Sequence, residues 1–145
     1  KIPDTLTPQI TVTPLQVPHR DEYSETVGYL IKGPHKKILF IPDIDKWEKW
    51  EEDILQWVRE VDHALIDGTF FSNEEVGHRN AAEIPHPLVN ESMKKFGQLP
   101  EQERSKIIFI HFNHTNPLVN PRSREAKEVL QAGYQFARIG MQLKL

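Results

Sequence analysis

Lys37-Ile38-Leu39-Phe40-Ile41-Pro42-Asp43-Ile44-Asp45 opens with a lysine and four unbroken apolar residues. The apolar run is far too short to cross a membrane and too continuous for a strand with one face in water, so it reads as a central strand. Pro42 stops it, and two acids follow. Asp45 stands where a helix would be capped, with Glu48 three residues on completing a capping-box pattern. Trp47, Trp50, Ile54, Trp57, Val58 and Val61 then recur at helical spacing, with Glu, Lys, Asp and Arg between them. The spacing predicts one helix from Asp45 to about Val61, lying on the sheet. Its tryptophan stripe is read as core packing rather than as a ligand platform.

Upstream, Ile10, Val12, Leu15 and Val17 alternate with polar residues around Pro14, the period of a half-buried strand. Residues 26–32 form another strand before a Gly33-Pro34 turn. Downstream, residues 63–67 are a short buried strand, and residues 70–85 read as a long loop. A helix is expected from near Pro87 to Phe96 with Gly97 as its stop, then a helical turn after Pro100. Ile107 to Phe112 reads as a buried strand. Ser123 caps a helix through Gln131 that stops at Gly133, and Phe136 to Ile139 is a last strand. The order predicts an α/β protein, a mixed sheet covered by helices, in a single domain over residues 1–145.

Composition agrees. The 145 residues carry a net charge of −3 from 18 basic and 21 acidic side chains, which leaves no basic face for nucleic acid. There is no cysteine, so thiolate metal clusters and disulfides are excluded. No apolar stretch spans a membrane and residues 1–8 do not resemble a signal peptide, so a cytoplasmic location is expected.

Residues able to do chemistry gather where strands end, the place layered α/β folds put their sites. They are His19 in Val17-Pro18-His19-Arg20, Asp43 in Pro42-Asp43-Ile44, Asp67 in Ile66-Asp67-Gly68-Thr69, His86 between Pro85 and Pro87, and His111 with His114 and Asn116 after Ile110. Each has a structural reading too. Asp43 could cap the tryptophan helix, although Asp45 fits that place better. Asp67 could accept bonds from the Gly68-Thr69 turn, since an acid closing an apolar strand is costly unless it is hydrogen-bonded. His86 suits a stiffened catalytic imidazole or a helix start. His111 could be a neutral imidazole within a strand. Histidine and aspartate together form a common ligand set for zinc, manganese and non-haem iron. No HExxH motif, CxxC motif or glycine-rich phosphate loop is present.

Ile108-Phe109-Ile110-His111-Phe112-Asn113-His114-Thr115-Asn116-Pro117-Leu118 closely resembles the H-x-N-N-T-N-P segment of the pyrroloquinoline quinone biosynthesis protein B family, within the metallo-β-lactamase superfamily. Asp67-Gly68-Thr69-Phe70 with Glu74, and Ala132-Gly133-Tyr134 through Gly140-Met141, resemble further segments of that family. Val17 to Tyr29 resembles the matching stretch of its ribonuclease Z relatives. The resemblance implies the C-terminal half of a four-layer αββα sandwich with a metal site between its sheets. It implies Asp43 as a bridging carboxylate, His111 as a late histidine ligand and His86 as a catalytic residue. His19 and Asp67, with His114 and Asn116, would line the groove or support the ligands. Two departures stand out. His114 replaces an asparagine of the family, and the H-x-H-x-D-H signature, which supplies most of the superfamily's ligands, does not occur in this sequence.

The resemblance therefore implies part of a metal-dependent hydrolase acting on a small molecule. Its divalent metal would be zinc, with iron and manganese as alternatives, and the site would be completed by a missing N-terminal half or by a homodimer partner. The competing readings are an iron-dependent oxygenase on the same fold and a non-catalytic binding or scaffold domain.

Overall fold

A computed structural model of the chain describes residues 3–20, 22–77 and 84–145. Seven strands form one sheet in sequence order: β1 (Asp4–Thr7), β2 (Ile10–Val17), β3 (Thr26–Lys32), β4 (Lys37–Ile41), β5 (His63–Asp67), β6 (Ile107–Ile110) and β7 (Gln135–Phe136). The first four pair antiparallel, and β4 to β7 pair parallel. Among the described residues five α-helices connect them: α1 (Ile54–Glu60), α2 (Asn73–Val76), α3 (Val89–Phe96), α4 (Glu101–Arg104) and α5 (Arg124–Gln131). No helix among the described residues is long and apolar enough to cross a membrane.

One sheet face carries Leu15, Leu30, Leu39, Ile41, Ala64, Ile66, Ile107 and Phe109. These pack with Ile54, Val58, Val89, Phe96, Ala126 and Val129 of the helices into one buried core. By pairing and alternation the opposite face presents Val12, Tyr29, Ile31, Phe40, Leu65 and Ile110. Those six stay half-buried, Ile38 and Ile108 of the same face are buried, and none of the eight belongs to the core cluster. The helices thus cover one side of the sheet.

The tryptophan segment departs from a single helix. Trp47–Lys49 is a 3-10 turn, Trp50 is extended, and α1 begins only after Asp53, whose carboxylate accepts from Leu55 N at 2.9 Å. The indoles explain the break. Trp47 Nε1 donates to Ser92 Oγ and Trp50 Nε1 to the Gln16 carbonyl, partners on different elements that no single helix axis serves. Both indoles are buried and Trp57 packs against the core, so the stripe is packing. Asp45 instead binds Lys46 N and Lys49 Nζ. Asp53→Ala should therefore cost about 1 kcal/mol, the usual worth of an N-cap, read as a lower midpoint of urea unfolding. Asp45→Ala should leave α1 untouched.

Four smaller corrections follow. β1, whose residues are all exposed, adds a strand ahead of those the sequence predicts. The stretch read as a loop over 70–85 contains α2, and its residues 78–83 lie outside the described residues. β6 stops at Ile110 because His111 takes a left-handed φ of 63°, which breaks the ladder before His111 and Phe112. β7 pairs only Gln135 and Phe136 with β6, and Ile139 is fully exposed rather than in a strand.

Candidate metal centre

β4, β5 and β6 run in the same direction, so their carboxyl ends meet at one edge of the sheet. Asp43 lies two residues past β4, Asp67 closes β5, and His111 directly follows β6. His19 reaches this edge because Asp45 N donates to the Pro18 carbonyl at 2.7 Å, tying the loop after β2 to the loop after β4. His86 arrives from the segment before α3, with its ring edge-on to Phe70 and 5.3 Å from the His19 ring. Asp21, in the run containing His19, lies outside the described residues.

Among the described residues two sets of side chains could hold a metal ion: His19, Asp43 and His86, and Asp43, Asp67 and His111. Asp43 belongs to both. Its Oδ1 lies 3.3 Å from His19 Nε2 and 3.3 Å from His86 Nδ1, yet makes no hydrogen bond although it is buried. His19 Nδ1 is likewise buried without a partner. A buried acceptor that lacks a donor is uncommon enough to need a cause, and a cation held by the carboxylate and His19 Nε2 would satisfy it. The residues present thus fit a divalent metal.

Asp67 has a different position. It is fully buried and already saturated. Its Oδ2 accepts from Ile44 N at 3.1 Å and from His86 Nδ1 at 2.8 Å. Its Oδ1 accepts from Thr69 N at 2.8 Å and Thr69 Oγ1 at 2.7 Å. A carboxylate with each oxygen doubly bonded is better suited to holding its neighbours than to leaving them for a metal. Burial works against the charged form of His86, but the hydrogen bond it donates to Asp67 and the charges of Asp67, Asp43 and Asp45 outweigh it and hold the imidazole pKa above its ordinary value.

His111 is exposed and bonded through Nδ1 to Thr69 Oγ1 at 3.1 Å. Its left-handed backbone is uncommon for a residue other than glycine, although histidine is among the more tolerant. His114 and Asn116 join neither set. His114 is exposed. Asn116 is buried and works as a staple, its amide donating to the Gly68 carbonyl at 2.6 Å and its oxygen accepting from Leu118 N at 2.9 Å. That staple fixes the turn after β5 to the loop after β6. Two participants carried no sequence signal of their own. Thr69 is a common residue type with no catalytic pattern around it, and Ile44 contributes through its backbone.

The family described as Beta-lactamase superfamily domain matches residues 3–112. Coenzyme PQQ synthesis protein B of Acinetobacter baumannii (strain ACICU) is 27% identical over 144 residues, 93% of this chain and 46% of that protein. The protein of the same name from Pseudomonas entomophila (strain L48) is 29% identical over 147 residues, 95% of this chain and 48% of that protein. The chain spans about half the length of the curated relatives it matches. Among solved structures, zinc-bound PqqB from Methylobacterium extorquens aligns with a TM-score of 0.78 at 24% identity, over 99% of this chain and 53% of that one. Igni18, a metallo hydrolase from the archaeon Ignicoccus hospitalis KIN4/I, aligns with a TM-score of 0.56 at 16% identity, over 96% and 55% of the two chains.

Proposed function

This chain belongs to the β-lactamase superfamily and has the α/β fold of its PqqB-like members, and on that footing we propose that it is the C-terminal half of a metal-dependent hydrolase resembling coenzyme PQQ synthesis protein B. The observation that carries the reading is Asp43. Its buried Oδ1 makes no hydrogen bond, yet it faces two imidazoles at the sheet edge where β4, β5 and β6 end.

In this reading Asp43 and His111 would hold the metal, which would be zinc. When bound, the metal would lower the pKa of its water and polarise the substrate. The chain's own residues do the rest. Asp67 accepts Nδ1–H of His86, which fixes the ring and leaves Nε2 as the nitrogen able to exchange a proton with substrate. His19 lines the same groove. The substrate is a small molecule rather than a nucleic acid, in keeping with the net charge of −3, and the setting is the cytoplasm.

A catalytic zinc takes about three protein ligands plus water. Asp43 and His111 leave that set short, and H-x-H-x-D-H is absent from the sequence. The remainder comes from an N-terminal half or from a second copy, docked on the half-buried face of Val12, Tyr29, Ile31, Phe40 and Leu65. Calorimetric titration with zinc tests the assignment. The chain alone should bind weakly, and Asp43→Ala should abolish even that. A tight stoichiometric site in the chain alone would show the ligand set to be complete here. Weak binding that survives Asp43→Ala would remove Asp43 from the site.

A further inference from the structure

Asp67, Thr69 and His111 form a chain of hydrogen bonds whose protons can be counted. A hydroxyl carries one proton, and two heavy atoms compete for the one on Thr69: Asp67 Oδ1 at 2.7 Å and His111 Nδ1 at 3.1 Å. A carboxylate can only accept, whereas a neutral imidazole nitrogen either accepts or donates according to tautomer. The other groups on Asp67 are the N–H of Thr69, the N–H of Ile44 and His86 Nδ1. Backbone N–H groups only donate. The shorter contact therefore takes the threonine proton, and the lone pair left on Oγ1 meets His111 Nδ1. That contact is a hydrogen bond only if Nδ1 carries the proton.

We propose that Thr69 is a positioning residue that sets His111 in the Nδ1–H tautomer, leaving Nε2 as its electron-pair donor. One buried carboxylate then orients both histidines of the site, His86 directly and His111 through the threonine hydroxyl. The relay is held rigidly. Thr69 is itself buried, and its carbonyl accepts from Asn113 N at 2.9 Å and from the Asn116 amide at 3.2 Å, so the loop carrying His111 is fastened to the residue that orients the ring. His111 holds a left-handed φ, uncommon for a residue other than glycine, at the point where this loop leaves β6. The proton arrangement stands on these three residues alone. Its use, presenting Nε2 to a metal, rests on the metal-site reading above.

Long-range proton–nitrogen correlation NMR on the metal-free chain, labelled at histidine nitrogen and kept at a pH where imidazole is neutral, reads the tautomer directly. His111→Asn assigns the His111 signals among the seven histidines. The expected result is Nδ1 at the protonated shift and Nε2 at the unprotonated shift. Thr69→Val should move His111 toward the Nε2–H form that unconstrained histidine prefers, and Thr69→Ser should restore the original pattern. A merely structural threonine would lower stability in Thr69→Val and leave the tautomer alone. An Nε2–H pattern in the unmodified chain overturns the proposal without any variant. So does an Nδ1–H pattern that persists in folded Thr69→Val. Neither result bears on whether zinc binds at Asp43, which the titration decides separately.

Discussion

Asp67→Ala should destabilise the chain by about 3–5 kcal/mol, seen as a large fall in the urea midpoint followed by tryptophan fluorescence. The carboxylate is fully buried and receives Ile44 N, Thr69 N, Thr69 Oγ1 and His86 Nδ1. Truncation strands these donors away from water, and each orphaned buried donor costs about 1–3 kcal/mol. A domain of this size holds about 5–15 kcal/mol in all, so the variant should fold marginally. Asp67→Asn is the informative companion. Its shape is unchanged, but its NH2 group must point at donors, so it should recover less than half of the loss. A cost below about 1 kcal/mol for Asp67→Ala would mean that water replaces the carboxylate, and Asp67 would no longer be the pin that joins β4, β5 and His86.

Much of this architecture is readable without coordinates, and the parts that are not share a cause. The strands over Thr26–Lys32, Lys37–Ile41 and His63–Asp67 fall where the apolar runs are bounded by turn residues, because burial on a sheet leaves its period in the sequence. Ser123 caps α5 through a bond from Ala126 N, a local signal with a local outcome. The tryptophan segment misleads because Trp47 and Trp50 fit the helical period while their indole N–H groups answer to Ser92 and Gln16, 45 and 34 residues away along the chain. β1 leaves no trace because an exposed edge strand has no face to alternate. At the site, residue types and strand-end positions point to Asp43, His86 and His111. The sequence does not reveal that Asp67 is saturated while Asp43 keeps a bare oxygen, since that difference is made by Ile44 N, Thr69 and the angle at which His86 arrives. Nor does it reveal the left-handed turn at His111, where no glycine announces it.

The other large effect should come from Phe109→Ala, at about 3–5 kcal/mol. Phe109 is fully buried on β6, tilted against Tyr134 with ring centroids 6.0 Å apart, and Tyr134 in turn donates its hydroxyl to the Met93 carbonyl. Removing the ring opens a cavity where β5, β6, β7 and α3 meet, and close-packed interiors relax into such gaps only partly. Phe109→Leu keeps most of the volume and should cost about 1 kcal/mol. The contrast matters for the site as well as for the fold. Gly68 N donates to the Ile110 carbonyl at 2.9 Å, and a methyl group placed on Gly68 would come within 3.1 Å of Phe109 Cβ, so the ends of β5 and β6 lie against each other at this residue. Asp67 and His111 leave the sheet from those two ends. Phe109→Ala should therefore speed amide exchange at Gly68 and Ile110 more than at Leu39 and Ile41 of β4, whereas Phe109→Leu should leave the ratio near that of the parent chain. Uniform acceleration across β4, β5 and β6 in Phe109→Ala would count against this: the cavity would then lower global stability only, and the spacing of Asp67 and His111 would be held by the Asn116 staple and the Thr69 bonds rather than by packing beneath them.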